Sequence, residues 1–283
     1  MGAAVTGRGL TAEGCIGVFD SDVGGLTVLD ECLARLPAED FVYYGDTAHF
    51  PYGDKNVEYL RERSMRAATW LVEQGAKTVV VACNTATAAA LAHLQTHLDV
   101  PVIGVMTAEA HAAAYTTRNR RVGLLATVAT VQSGAYERMI LAHDAGVEVT
   151  SVACPRLAPA IQRGEPYDET IVEMVREYTA PLREARVDTA ILGCTHYPMV
   201  SRLLRRNLPD VTLITSGEEL ARELRESLRR KGLLRSAGRE GTYRFACSGD
   251  PGAFRALGSR YLQMPLGDVA RVPLDDPVPA GRA

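Results

Sequence analysis

Two cysteines each close an apolar run and open a polar one, in Val80-Val-Ala-Cys83-Asn-Thr85 and Ile191-Leu-Gly-Cys194-Thr-His196. Each is followed by a segment of helical period and then by a second apolar run, at Val100 and Val211, 17 residues beyond its cysteine in both cases. A fainter echo joins Ile16-Gly-Val-Phe-Asp-Ser21 to Val122-Gly-Leu-Leu-Ala-Thr127. Two copies of one α/β unit put the two thiols at equivalent strand ends, where a doubly wound sheet forms its ligand crevice. If the halves face each other, so do the sulfurs. Inverting a carbon centre requires a proton to leave one face and another to arrive on the opposite face. A thiolate and a thiol suit that task, because the reference thiol pKa is about 8.5. Asp20 and His196 stand beside these strand ends and could carry protons to or from the sulfurs. Cys15, Cys32 and Cys247 read as small buried hydrophobes.

The strand-end segments share a chemistry. Asp20-Ser21-Asp22 with Gly24-Gly25, Gly45-Asp46-Thr47 running on to Pro51-Tyr52-Gly53, Cys83-Asn84-Thr85, Thr127 with Thr130 and Ser133, and Cys194-Thr195-His196 are rich in hydroxyls, amides and glycines. None contains Lys or Arg. Hydroxyls and backbone N–H groups at the start of a helix hold a carboxylate or phosphate without a cation, so these loops predict a small anionic ligand. Helix capping alone explains one such loop, whereas five together point to a site.

The elements that must position these groups alternate. Short apolar runs at 16–19, 41–44, 79–82, 102–105, 122–125, 147–152, 189–192, 211–214 and 243–246 predict strands. Helical spacing fills much of the space between them. Leu26, Leu29, Cys32, Leu33 and Leu36 form one buried stripe stopped by Pro37, and 86–98, 136–145, 168–183, 200–208 and 218–231 behave similarly. The βαβα order predicts an α/β chain of two similar doubly wound domains with mainly parallel sheets and the site in the cleft between them.

Composition excludes other classes. A chain of 283 residues with 47% apolar and 23% charged residues buries a sizeable core. Its net charge of -3 gives no general pull toward nucleic acid, and none is expected as a partner. No apolar run approaches the roughly 18–20 residues of a membrane helix, and no export signal is apparent, so a cytoplasmic, membrane-free protein with reduced thiols is expected. Pyridoxal chemistry needs a lysine in the crevice, yet Lys55, Lys77 and Lys231 all lie outside the strand-end motifs. Zinc is disfavoured because Cys194 and His196 have no companion ligand cluster. Neither cofactor nor metal is expected. A Cys83–His196 nucleophilic hydrolase leaves the matched Cys194 unexplained.

Val18-Phe-Asp-Ser21, Val23-Gly-Gly-Leu-Thr27, Tyr44-Gly-Asp-Thr47, Pro51-Tyr-Gly53, Ala82-Cys-Asn-Thr85, Pro101-Val-Ile-Gly104, Cys154-Pro155 and Leu192-Gly-Cys-Thr-His-Tyr-Pro198 occur in order and spacing that resemble the glutamate racemase family. The resemblance runs from about Ile16 into the C-terminal region. It implies a cofactor-independent enzyme of two similar α/β domains that binds glutamate between them, and frequently a homodimer. In that family the product, D-glutamate, supplies peptidoglycan synthesis. It also implies that Cys83 and Cys194 exchange the α-proton, with Asp20, Ser21, Tyr52, Gly53, Asn84, Thr85, Thr195 and His196 lining the site. The first domain is expected over 14–106 plus 213–270 and the second over 107–212, with tails at 1–13 and 271–283.

Three positions depart from the family pattern. Asp22 stands where glycine is usual, Gln162 where glutamate is usual, and Ala126 where glycine is usual. An inward-pointing Asp22 would repel a dianionic substrate, and Gln162 cannot shuttle a proton as a carboxylate does. These departures keep two further readings open: a substrate-shifted racemase or one-thiol decarboxylase of the same superfamily, and a catalytically impaired binding protein on the same fold.

Overall fold

The computed structural model describes residues 10–163 and 168–274. The chain runs β1 (Cys15–Asp20), α1 (Leu26–Arg35), β2 (Phe41–Gly45), α2 (Val57–Glu73), β3 (Ala76–Val81), α3 (Asn84–His97), β4 (Val102–Gly104) and α4 (Val105–Thr116). It continues through β5 (Arg121–Ala126), α5 (Val128–Ser133), α6 (Ala135–His143), β6 (Glu148–Ala153), α7 (Leu157–Arg163), α8 (Glu169–Glu184), β7 (Thr189–Gly193), α9 (Ser201–Asn207) and β8 (Thr212–Ile214). The remaining elements are α10 (Ser216–Arg230), β9 (Tyr243–Cys247), α11 (Pro251–Leu262) and β10 (Val269–Arg271).

Two sheets form, with orders β10-β9-β2-β1-β3-β4 and β6-β5-β7-β8, and every pairing is parallel. The run β2-β1-β3-β4 in the first sheet matches β6-β5-β7-β8 in the second. The echo between the cysteine motifs is therefore one of topology as well, with β3 equivalent to β7 and β1 to β5. The strand order reverses between β1 and β3 and again between β5 and β7, where such sheets open a crevice.

Strands covered on both faces alternate side chains between two apolar layers. Val18, Val80, Leu124 and Ile191 point into a central layer shared by both sheets, which also holds Leu29 of α1, Met106 of α4, Ile140 of α6 and Leu224 of α10. Phe19, Val79 and Val81 point the other way, onto Leu60 and Leu71 of α2 and Leu94 of α3. Leu125 and Leu192 face Ile171, Val175 and Leu182 of α8. One apolar layer thus joins the two sheets and fixes how their strand ends meet.

The expected strands and helices all form. Elements α2, α4, α5, α7, α11 and β10 form in addition to those the sequence predicts. In α4 the stretch Val105–Thr116 is mostly alanine and small residues and carries no stripe, and α5 and α7 are too short to show a period. The expected C-terminal tail is structured at its start. Arg271 ends β10, the Val272 N–H donates to the Cys247 carbonyl at 2.8 Å, and the Leu274 carbonyl accepts from Arg63 at 3.0 Å. In the N-terminal tail, the Ala12 carbonyl accepts from Lys77 Nζ at 2.6 Å. The rest of both expected tails, 1–9 and 275–283, lies outside the described residues.

Candidate active site

Cys83 follows β3 and caps α3. Its backbone is extended (φ -72°, ψ 120°), and its Sγ accepts from the Ala86 N–H at 3.5 Å. Cys194 follows β7 in the equivalent place. Both are buried, 4% and 7% exposed, and both line one cavity of about 210 Å³ that also takes its walls from residues of each sheet's strand-end loops. Ser21, Tyr52 and Gly53 contribute from the first set of loops, Asn84 and Thr85 from the start of α3, Thr127 from the end of β5, and Thr195 and His196 from the end of β7. Asp20 and Thr130 do not line it; each sits one hydrogen bond behind a lining residue.

Asp20 ends β1, fully buried. Its Oδ2 accepts from the Gly25 N–H at 2.9 Å and the Asp22 N–H at 3.3 Å, and the Thr195 hydroxyl approaches it at 3.4 Å. Burial raises its pKa to about 6, against the pull of those backbone donors. The Cys83 thiol, which also helps hold the Asp20 carboxylate, is pushed up to about 12 by burial and then by the Asp20 charge. Burial carries Cys194 well above the ordinary thiol range, and the charge that Cys83 would bear adds to the effect. Each sulfur thus disfavours ionisation of the other, as expected of two groups sharing a small dry space.

His196 lies against Cys194, not Cys83, with Nδ1 4.0 Å from Sγ. Its ring packs on Phe50 at 5.2 Å between centroids and on Tyr261 at 5.9 Å, and burial lowers its pKa to about 4, so it is neutral. Its Nε2 faces Gln162 Oε1 at 3.0 Å, and Gln162 Nε2 in turn donates to Asp22 Oδ2. Two departures from the family pattern are therefore in contact. Asp22 turns to Gln162 and away from the cavity lining, so the expected repulsion of substrate by an inward carboxylate is not the arrangement found. Ala126 is buried at the end of β5, also outside the lining.

The polar wall is held from behind. The Thr85, Thr127 and Thr130 hydroxyls form a triangle with sides of 2.9, 2.9 and 3.2 Å. Asn84 Nδ2 donates to Glu109 Oε2 at 2.9 Å and to the Tyr136 hydroxyl at 2.7 Å, and its buried Oδ1 has no hydrogen-bond partner among the described residues. Glu109, 0% exposed, also accepts from the Tyr136 hydroxyl and from Ser216 Oγ at 2.7 Å, and burial raises its pKa to about 8. The Tyr52 hydroxyl donates to Asp46 Oδ2 at 2.6 Å. Burial opposes ionisation of Asp46, but two Arg63 hydrogen bonds at 2.8 and 2.9 Å outweigh it and keep that carboxyl below its usual range. Glu109, Tyr136 and Ser216 escaped the sequence reading, although a lone carboxylate in the alanine-rich run 105–116 was the available signal.

Close backbone approach draws the two halves together. A Cβ on Gly24 would come within 2.5 Å of both His196 Nδ1 and Thr195 Oγ1, and one on Gly53 within 2.7 Å of Thr127 Cβ. The Gly53 carbonyl accepts from the Ala129 N–H at 3.0 Å. Among the described residues, no group of three His, Cys, Asp or Glu side chains is placed to hold a metal ion, and no helix is long and apolar enough to cross a membrane.

Comparison with known proteins gives one answer. The Asp/Glu/hydantoin racemase family matches over residues 16–224. A glutamate racemase of Geobacter metallireducens is 44% identical over 261 residues, 92% of this chain and 97% of the relative. Among solved structures, a glutamate racemase isoform from Bacillus anthracis superposes with a TM-score of 0.89 at 38% identity, covering 93% of this chain and 99% of the other. The glutamate racemase of Francisella tularensis, solved in complex with D-glutamate, superposes with a TM-score of 0.87 at 32% identity, with 93% and 99% covered. The chain belongs to the Asp/Glu/hydantoin racemase family.

Proposed function

We propose that this protein is a cofactor-independent glutamate racemase in which Cys83 and Cys194 exchange the α-proton on opposite faces of the substrate. The observation that carries this reading is the pair of thiols at equivalent strand ends of two sheets, both lining one small cavity. At about 210 Å³ that cavity is smaller than the roughly 300–1,000 Å³ typical of pockets for drug-sized ligands, and it suits a single amino acid.

The residues around the thiols fit an amino acid with two carboxylates. Among the described residues, no Lys or Arg lines the cavity. Hydroxyls of Ser21, Thr85, Thr127 and Thr195 and the first N–H groups of α3 supply donors for carboxylate oxygens. Both N–H bonds of Asn84 are committed to Glu109 and Tyr136, so only its oxygen is left to accept from a substrate ammonium.

The chemistry then follows. Asp20 takes the Cys83 proton, and the resulting thiolate removes the α-hydrogen as a proton. The C–H bond breaks, an S–H bond forms, and the electron pair left on Cα spreads into the adjoining carboxylate. The Cys194 thiol gives its proton to the other face of Cα, which inverts the centre and leaves Cys194 as thiolate. Proton exchange with solvent as product leaves restores the Cys194 thiol and the Asp20 carboxylate. In the mirror sequence neutral His196 takes the Cys194 proton on Nδ1, and the Cys194 thiolate removes the α-proton from the other face. Both thiols rest protonated because burial disfavours their anions. The substrate ammonium brings the compensating charge when it enters.

This reading places the protein in the cytoplasm as a source of D-glutamate for peptidoglycan synthesis, working as a homodimer. Its support is the likeness to glutamate racemases over most of the chain. Incubation of the purified protein with L-glutamate and no added cofactor tests it, with D-glutamate read by chiral chromatography alongside a panel of other acidic and neutral amino acids. Approach to an equal mixture of the two glutamate enantiomers is expected, and no conversion of glutamate would overturn the reading.

A further inference from the structure

Asp22 and Gln162 each depart from the family pattern, and they meet. Asp22 lies in the loop between β1 and α1, 3% exposed, with its backbone fixed on both sides: its N–H donates to Asp20 Oδ2 at 3.3 Å and its carbonyl accepts from the Tyr43 hydroxyl at 2.7 Å. Gln162 comes from α7, on the other sheet's side of the cavity. Its Nε2 donates to Asp22 Oδ2, and its Oε1 sits 3.0 Å from His196 Nε2.

We propose that Asp22 is a positioning residue for His196, acting through the Gln162 amide so that His196 turns an unprotonated Nδ1 toward Cys194. A carboxylate oxygen can only accept, so the amide must present its nitrogen to Asp22, which leaves its oxygen for His196. An oxygen at that place requires the ring proton on Nε2. A neutral imidazole has a single N–H, so Nδ1 carries the lone pair, and Nδ1 is the atom 4.0 Å from Cys194 Sγ. The chain Asp22–Gln162–His196 thus sets the tautomer in the way a carboxylate behind a histidine does elsewhere.

Burial and the charge of Asp20 raise Asp22 well above the usual carboxylate range. The amide is held by the contact of its nitrogen with Asp22 Oδ2, and a carboxyl whose proton sits on Oδ1 still accepts there. Without Asp22, the amide is free to rotate by half a turn and offer its NH₂ to Nε2, which moves the ring proton to Nδ1, against the sulfur. The single carboxylate that the histidine needs behind it can also stand at position 162 itself, provided position 22 is then vacated. Two carboxyl groups in buried contact repel, while none at all leaves the amide unoriented.

This inference rests on the racemase reading for its kinetics but not for its spectroscopy. Two-bond ¹H–¹⁵N spectra of the whole protein labelled with ¹⁵N-histidine report which ring nitrogen of His196 is protonated. The Nε2–H form is expected in the wild type, with a shift toward Nδ1–H in Asp22→Gly. Asp22→Gly and Gln162→Glu are each expected to lower kcat/KM for glutamate by about 10-fold. The double variant Asp22→Gly/Gln162→Glu is expected to recover to within about 3-fold of wild type, a coupling that independent sites do not show. If Asp22→Gly fails to fold, recovery of the double variant relative to Gln162→Glu decides the matter. An Nδ1–H tautomer in the wild type, or single-variant losses that multiply in the double, overturns the inference. A wild type that leaves glutamate unchanged overturns the racemase reading alone, because the tautomer is read without substrate.

Discussion

Cys83 and Cys194 end equivalent strands of two different sheets, yet they line the same cavity and each raises the cost of ionising the other. Neither sheet could do this alone. The shared apolar layer between the sheets and the close approach of the glycine loops bring two otherwise separate strand ends to one small space.

Serine in place of either sulfur should therefore stop turnover without unfolding the protein. A positioned general acid or base contributes about 10²–10⁴-fold, so Cys83→Ser and Cys194→Ser should each lower kcat/KM by that order. The two enantiomers have equal free energy in water, so the loss must be the same from L- and D-glutamate in each variant. Initial rates from both enantiomers check this, and a variant keeping near wild-type kcat/KM would remove its sulfur from the chemistry.

The approach of Gly24 to the opposite loop leaves no room for a methyl group, since a Cβ there meets His196 and Thr195 at 2.5 Å. Gly24→Ala is expected to force the two loops apart, costing about 1–3 kcal/mol in stability. Activity should fall further than stability, because the displaced groups are site residues. Urea denaturation and kcat/KM measured on one preparation separate the two effects, and a fully active, fully stable variant would show that the loops do not meet there.

How much of this was legible in the sequence depended on how locally each feature is encoded. Cys83, Asn84 and Thr85 were readable because strand, polar turn and helix start are contiguous, and the repeat at Cys194 announced a second copy. Asp46 and Arg63 were not readable as a pair, because their contact joins the strand-end loop after β2 to the middle of α2. The orientation of Asp22 was equally hidden. Its partner lies 140 residues away in a seven-residue helix that shows no period, so repulsion of substrate was the natural expectation and an amide contact is what forms.

Glu109 gives the folded protein a particular pH dependence. Its pKa rises from the ordinary carboxylate range to about 8 on burial, so the folded state binds the proton more tightly than the unfolded chain. The stability from this group is fully present below about pH 4.3, the reference glutamate value, and is lost as pH rises toward 8. Glu109→Gln should flatten the decline in chemical-denaturation midpoint between pH 5 and 8, and parallel wild-type and variant curves would show that Glu109 does not titrate on unfolding.

Among the cavity hydroxyls, Thr127 tests carboxylate binding most cleanly. Its hydroxyl bonds to Thr85 and Thr130 and lines the cavity, while valine keeps its shape. A hydrogen bond to a charged group is worth about 1.5–3 kcal/mol, so Thr127→Val should raise KM for glutamate by about 10-fold or more with a smaller change in kcat. An unchanged KM would place the substrate carboxylates elsewhere.

The central claim is that two sulfurs, not one, handle the α-proton, and the fate of hydrogen in D₂O addresses it directly. Protiated L-glutamate and protiated D-glutamate are incubated separately with the wild-type enzyme, and product and residual substrate are examined early by mass spectrometry after chiral separation. Two sulfurs predict a product carrying one deuterium at Cα while the remaining substrate stays protiated, from either enantiomer. Product that retains the substrate's own hydrogen, together with deuterium washing into unreacted substrate, would mean that a single base serves both faces and would contradict the account.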